Sequence, residues 1–154
     1  MIILTDRSNY SSGAPWESIA GYSRAVRIGN IIEVAGTTAV DTEGQVVGAG
    51  DIIKQTDYIF NKIRNALNDA GSKMSDVIRT RMYLTDINDW ETVARVHGDI
   101  FSDIKPVSTL VEVSGLIDEE LLIEIEVSAV VSGCLLYTSP SPRDTALSRM
   151  PSSA

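Results

Sequence analysis

The chain has 154 residues, of which 44% are hydrophobic and 22% are charged, as is ordinary for a globular protein with one core. A formal net charge of −8, with the acids scattered along the chain, argues against nucleic acid or an anionic membrane as the main partner. The single cysteine, Cys134, excludes an internal disulfide and a cysteine-based metal site.

No stretch approaches the roughly 20 apolar residues of a membrane span. The opening MIILTDRSNY lacks the basic region and apolar core of a signal peptide. These features predict a cytoplasmic protein.

The first predicted element is a β-hairpin in YSRAVRIGNIIEVAG. Residues 22–28 read as a strand, Gly29 and Asn30 as the tight turn, and residues 31–35 as the returning strand. Residues 41–50 follow as a loop with three glycines and no clear period.

DIIKQTDYIFNKIRNALNDAG, residues 51–71, is the clearest helix, because its apolar residues recur every three or four positions. Asp51 can cap its start, and Gly71 can end it. SDVIRTRMYLTD then reads as a strand. Its alternation places Val77, Arg79, Arg81 and Tyr83 on one face, and Ile78, Thr80, Met82 and Leu84 on the other. The second face is more apolar and is expected to pack on the helices.

NDWETVARVHGDIF predicts a second helix, capped by Asn88 or Asp89 and ended before Pro106. Its buried stripe is expected to contain Trp90, Val93, Val96, His97, Ile100 and Phe101. STLVEVSGL and LLIEIEVSAVV read as the last two strands, with a turn at residues 117–120. The order β-β-α-β-α-β-β predicts an α+β fold with two helices packed on one face of a mixed sheet.

The other face of the predicted sheet is charged. It carries Arg79, Arg81, Tyr83, Glu124 and Glu126. Covering such a face with another subunit would leave clefts between subunits. We therefore expect an oligomer.

The composition changes abruptly at Cys134, where CLLYTSPSPRDTALSRMPSSA begins. Serine and proline are frequent there, and no helical or strand period survives. A disordered tail is one interpretation. The segment also resembles the translation of a transposon-based sequencing adapter followed by a flow-cell primer. We therefore expect one domain over residues 1–133 and a non-native tail over residues 134–154.

GYSRAVRIGNIIEVAG, the 51–71 helix, SDVIRTRMYLTD, PVSTLVEV and IEIEVSAV together resemble, in this order, the RidA/YjgF family of reactive-intermediate deaminases. The resemblance implies a chorismate-mutase-like fold and a homotrimer with ligand clefts between subunits. It also implies hydrolysis of an enamine or imine by water to a 2-keto acid and ammonium, with no metal or organic cofactor.

Ser108 and Ala94 depart from the pattern of the deaminating members. Those members read proline, alanine, arginine, then serine or threonine where this chain reads Pro106, Val107, Ser108 and Thr109. The family's arginine clamps the substrate carboxylate with a planar, bidentate guanidinium, which a hydroxyl cannot replace. The family often has asparagine where this chain has Ala94.

Other cleft positions match the family's pattern. The resemblance assigns substrate contacts to Tyr22, Gly36, Thr37 and Thr109, although Thr37 replaces a glutamine. The backbone amide of Thr109 would help to bind an oxyanion. Glu124 corresponds to the glutamate thought to position the attacking water.

Each candidate also has a plainer interpretation. Glu124 can belong to an exposed acidic stripe, and Tyr22 can pack at an interface. His97 is more typical of a packing histidine than of a base. Arg79 and Arg81 are typical of ion pairs with neighbouring strands, yet Arg81 is the best internal candidate for a substitute anion clamp.

Two functions remain open at this point. The first is a Rid-type hydrolase acting on an imine, enamine or related small substrate that does not need the usual arginine. The second is a non-enzymatic trimer that binds a metabolite or a partner protein in the same cleft. RNA cleavage, which has also been attached to the family, is disfavoured by the negative charge and the lack of a basic patch.

Overall fold

The computed structural model describes residues 6–132. The predicted tail from Cys134 lies outside the described residues. The strands are β1 (Arg7–Tyr10), β2 (Ala25–Ile28), β3 (Ile31–Thr38), β4 (Val77–Leu84), β5 (Val107–Glu112) and β6 (Ile123–Val130). The α-helices are α1 (Pro15–Ala20), α2 (Ile52–Asp69) and α3 (Trp90–Phe101), with short 3₁₀ helices at Met74–Asp76 and Ile87–Asp89.

The strands form one six-stranded sheet in the order β1-β2-β3-β6-β4-β5. The β4–β5 pair is parallel, and the other pairs are antiparallel. A parallel pair needs a crossover, which the chain makes through α3. The predicted α+β order is confirmed, with α2 and α3 packed on one face of a mixed sheet. None of the helices described between residues 6 and 132 is long and apolar enough to cross a bilayer.

Helix α2 supplies the centre of the core because its apolar stripe faces the sheet. Ile59, Ile63 and Leu67 are fully buried there, with Phe60 beside them. Asp51 caps the helix as predicted, since its carboxylate accepts a hydrogen bond from the backbone N–H of Lys54 at 3.0 Å.

The N-terminal region contains elements that the sequence did not predict. Strand β1 adds an edge to the sheet, and α1 is a short helix begun by Pro15. The first strand of the predicted hairpin starts at Ala25 rather than at residue 22, and β3 continues to Thr38. The tight turn at Gly29 is confirmed, with a positive φ of 60° that suits glycine.

The predicted faces of β4 are wrong at its first two residues. The register against β6 shifts between Val77 and Arg79, which marks a β-bulge. Val77 is 3% exposed and lies in the core, whereas Ile78 is 51% exposed. The extra residue reverses the alternation once, so the prediction holds from Arg79 onward.

Helix α3 buries less of its predicted stripe than expected. Val93 and Phe101 are buried, and Val96, His97 and Ile100 are partly buried. Trp90 is 53% exposed, so its predicted burial is wrong. Asp89 occupies the cap position, but its side chain makes no capping bond.

Gln55 is a buried polar side chain that ties α2 to the chain segment before β6. Its amide nitrogen donates to the carbonyl oxygen of Glu120 at 2.9 Å, and its amide oxygen accepts from the N–H of Leu122 at 2.8 Å. Buried backbone groups that lose such partners cost free energy, so Gln55 stabilises this connection.

Replacing Gln55 with leucine should lower the free energy of unfolding by about 2–3 kcal/mol. The substitution leaves the carbonyl oxygen of Glu120 and the backbone N–H of Leu122 without a hydrogen-bond partner. Urea unfolding followed by circular dichroism measures the change. Gln45→Leu, at an exposed position, is the matched control and should change stability by less than about 0.5 kcal/mol. Equal effects of the two variants would contradict the role of Gln55.

Candidate functional site

A pocket lies between α3 and β5 on the helical side of the sheet, and we call it the helix-side pocket. It has a volume of about 500 Å³. Its lining consists of Met82, Ile87, Trp90, Ala94, His97, Ser108 and Leu110. Ser108 and Ala94, which the resemblance to the deaminating members singles out, therefore line the same pocket.

Ser108 is the start of a line of hydrogen bonds into the protein. Register places Thr80 of β4 beside Ser108 of β5, so both side chains point to the helical side. The Oγ1 atom of Thr80 lies 2.9 Å from the Oγ of Ser108 and 2.9 Å from the Nε2 of His97. Ser108, Thr80 and His97 thus form a connected chain, which we call the Ser–Thr–His ladder.

His97 is a packing residue and a hydrogen-bonding residue together. Its ring lies 4.6 Å from the ring of Phe101 and 6.1 Å from that of Phe60, measured between centroids. Burial among these rings lowers the pKa of His97 below its ordinary value, so the imidazole is neutral at neutral pH. The packing interpretation fits this placement, but the contact with Thr80 was not predicted.

A second pocket, of about 340 Å³, lies on the opposite face of the sheet, and we call it the open-face pocket. Its lining consists of Gly36, Tyr83, Val113, Gly115, Leu116, Glu124 and Glu126. The phenol of Tyr83 donates a hydrogen bond to Glu126 at 2.6 Å. This pocket is therefore acidic, whereas the helix-side pocket carries no acid.

The carboxylate of Glu124 lies against the backbone of β3 at Gly36. A Cβ added to Gly36 would collide with the Oε1 of Glu124, so the glycine makes room for the carboxylate. Burial, and then the negative charge of Glu126, raise the pKa of Glu124, while the cation of Arg24 opposes the shift. A carboxyl group of raised pKa exchanges protons more readily near neutral pH.

Arg24 is a cation near this site that the sequence analysis missed. Its Nη1 donates to the carbonyl oxygen of Gly36 at 2.9 Å and to the Oγ1 of Thr37 at 3.0 Å. Its Nε is buried and has no hydrogen-bond partner within residues 6–132. In the sequence, Arg24 is marked only by its position directly before the buried Ala25. That position does not reveal that the Arg24 side chain folds back onto β3.

The other predicted site residues lie apart from the helix-side pocket. Tyr22 is 38% exposed, and its ring lies 5.9 Å from the guanidinium of Arg24. Thr37 is buried, and its hydroxyl donates to the carbonyl oxygen of Ala35 at 2.8 Å. Thr109 is exposed and is paired in register with Arg81.

Arg81 points away from Ser108. Along β4 it alternates with Thr80, so it lies on the open face, where its Nη1 is 3.7 Å from the Oε1 of Glu126. In a single chain, Arg81 is therefore an ion-pair partner of Glu126 on the face opposite to Ser108.

The same alternation separates Ser108 from Glu124. Glu124 is paired in register with Tyr83 on the open face, and Ser108 is paired with Thr80 on the helical side. One chain therefore does not bring Ser108 and Glu124 to the same ligand. A site that uses both needs two chains.

No group of three or more histidine, cysteine, aspartate or glutamate side chains in the described part of the chain could hold a metal ion. The two pockets therefore offer hydroxyl, imidazole, phenol and carboxyl groups as their polar chemistry.

The family described as Endoribonuclease L-PSP matches residues 12–131, which is most of the chain. The chain belongs to the RidA/YjgF family. Among relatives, it is 37% identical over 120 residues to a RutC family protein of Pyrococcus abyssi, covering 78% of this chain and 93% of the relative.

Further members of the RidA/YjgF family show the same relationship. The chain is 32% identical over 107 residues to the 3-aminoacrylate deaminase RutC of Acinetobacter baylyi, covering 70% of this chain and 84% of that protein. The crystal structure of Rv2704, a YjgF/YER057c/UK114 family member from Mycobacterium tuberculosis, is 47% identical with a TM-score of 0.75. It covers 82% of this chain and 100% of Rv2704. The expected chorismate-mutase-like fold is confirmed.

Replacing Gly36 with alanine should push the Glu124 carboxylate out of its place and lower its pKa toward the ordinary value, because the side chain becomes more solvated. Carboxyl NMR titration measures the pKa of Glu124. The control is Gly98→Ala in α3, where an added Cβ meets nothing within 4 Å. That control should leave Glu124 unchanged and stabilise the helix by about 0.5–1 kcal/mol.

Acidification should destabilise the chain through His97. The folded pKa lies below 6.5, so the unfolded chain binds more protons between the folded pKa and 6.5, and stability falls as the pH falls through this window. Urea unfolding at about pH 7.5 and about pH 5.5 measures the slope. His97→Gln removes the titrating group and should reduce the slope. If the free energy of unfolding of this variant changed with pH as it does in the unmodified chain, His97 would not be the cause of the acid destabilisation.

Proposed function

We propose that the chain forms a homotrimer with small-molecule clefts between subunits, and that it hydrolyses an imine, an enamine or a related small metabolite other than 2-aminoacrylate. The observation that carries this proposal is that Ser108 and Ala94 line one pocket together with His97, and none of the lining residues is a cation. Where the resemblance implies a carboxylate clamp, the chain offers a hydroxyl.

The separation of the two pockets supports a site shared between chains. Ser108 faces the helical side of the sheet and Glu124 faces the open side, so two copies are needed to bring both residues to one ligand. The acidic open face also carries the half-exposed pair of Arg81 and Glu126, which another subunit would cover.

The relatives support the reaction class. RutC of Acinetobacter baylyi is described as a 3-aminoacrylate deaminase. Hydrolysis of a C=N bond needs an attacking water and a group that accepts its proton. Glu124 suits that task because its pKa is raised from the ordinary value toward neutral pH. The water would add to the imine carbon, and the nitrogen would leave as ammonia or an amine.

The test is release of 2-keto acid from 2-aminoacrylate or 2-iminopropionate generated in situ, with protein lacking residues 134–154. We expect little acceleration over the uncatalysed reaction, because a lone hydroxyl is a poor partner for a carboxylate. Ser108→Arg should install the activity, and Ala94→Asn added to it should raise the rate further.

The matched control is Ser75→Arg. Ser75 is exposed in the 3₁₀ helix Met74–Asp76 and lies outside both pocket linings, so it adds the same charge elsewhere. This control should remain as slow as the unmodified chain. Rapid keto acid release by the unmodified chain would overturn the proposal that Ser108 removes this reaction.

A non-enzymatic trimer that binds a metabolite or a partner protein is the second candidate. The apolar lining of the helix-side pocket favours this candidate, since Trp90 is 53% exposed there. An exposed apolar surface can bind a ligand or a partner protein without any catalytic group. Sedimentation equilibrium tests the trimer that both functions require. The cytoplasmic location stays a prediction from the sequence.

A further inference from the structure

The polar side chains that line the helix-side pocket are those of Ser108 and His97. The remaining lining residues are Met82, Ile87, Trp90, Ala94 and Leu110. A carboxylate that binds beside Ser108 finds no cation among the lining residues, and Ser108 offers it only one hydroxyl hydrogen. Partial loss of hydration against the apolar lining costs a carboxylate more than one neutral hydrogen bond returns.

The Ser–Thr–His ladder decides what Ser108 presents to a ligand. Thr80 has one hydroxyl hydrogen, so it donates to only one of its two neighbours, which lie 2.9 Å away on either side. With a hydrogen on Nε2, His97 donates to Thr80, Thr80 donates to Ser108, and the hydrogen of Ser108 is free for the pocket.

The direction reverses when the Nε2 of His97 is bare. Thr80 then donates to His97, Ser108 donates to Thr80, and Ser108 presents its lone pairs to the pocket. The ladder can therefore meet a hydrogen-bond acceptor or a donor, and it remains uncharged in both directions while His97 is neutral. A guanidinium at position 108 would offer neither property.

We infer that the helix-side pocket selects an uncharged ligand whose carbonyl or imine group bonds to Ser108 and whose apolar body lies against Trp90 and Leu110. Thr80 and His97 act as positioning residues that set the hydrogen of Ser108. The inference rests on the proposed function, since it takes the same pocket as the ligand site and names the ligand class.

Pyruvamide and pyruvate are the probes, because they share a carbon skeleton and differ in charge. Titration of each into the assembled, isotope-labelled protein, followed by amide NMR shifts of Ala94, His97 and Ser108, gives two dissociation constants. We expect pyruvamide to bind at least roughly tenfold more tightly than pyruvate, because no cation in the pocket lining offsets the lost hydration of a carboxylate.

Three variants test the residues. Ser108→Ala should weaken pyruvamide about fivefold, the loss expected for one hydrogen bond, and leave pyruvate weak. Thr80→Val keeps the shape of Thr80 but breaks the Ser–Thr–His ladder, so it should also weaken the binding of pyruvamide. Ser108→Arg should invert the preference toward pyruvate. The ratio of the two constants is the readout, since general loosening of the pocket would weaken both probes alike.

The outcomes separate this inference from the proposed function. Tighter binding of pyruvate by the unmodified protein overturns the uncharged ligand class and leaves the pocket as a binding site. An unchanged ratio in Ser108→Ala overturns the role of Ser108. Failure of both probes to shift the three amide signals in folded protein overturns the inference and the proposed site together.

Discussion

The alternation of side chains along β4 is the constraint on which the rest of the molecule depends. The strand lies between β6 and β5, so its side chains can point only toward the helices or toward the open face. Thr80 and Met82 take the helical side, and Arg81 and Tyr83 take the open side. The bulge between Val77 and Arg79 sets which residues go where, since one residue more or less would exchange the two sets.

The two pockets inherit opposite chemistry from this arrangement. Packing against α3 gives the helix-side pocket an apolar lining with a neutral imidazole, because aromatic neighbours desolvate His97. The open-face pocket concentrates acids, and burial together with the charge of Glu126 raises the pKa of Glu124 there. A ligand held between copies of the chain would meet a neutral surface on one side and a proton-exchanging one on the other. That division suits addition of water to a polar double bond better than recognition of an anion.

Strong periodicity made the long elements predictable, including α2 with its Asp51 cap, the order of the main helices and strands along the chain, and the charged face. The bulge in β4 was hidden because an extra residue leaves no mark in composition. Exposure of Trp90 depends on what α3 packs against, which periodicity alone does not show. The ladder joins residues 17 and 28 positions apart, and the contact of Arg24 with Gly36 spans 12 positions. Family resemblance named Ser108 and Glu124, but only the sheet register showed that they face opposite ways.

Strand β5 pairs with β4 alone among the described strands, so its outer edge leaves backbone groups without a partner. Its side chains include Val107, 56% exposed, and Val111, 42% exposed. The apolar side chains at this edge are therefore open to contact with another chain. This strand joins β4 only after the chain has passed through α3. A second chain that covered this edge would protect it from aggregation, so the strand that carries Ser108 is also a strand through which the protein can associate with other chains.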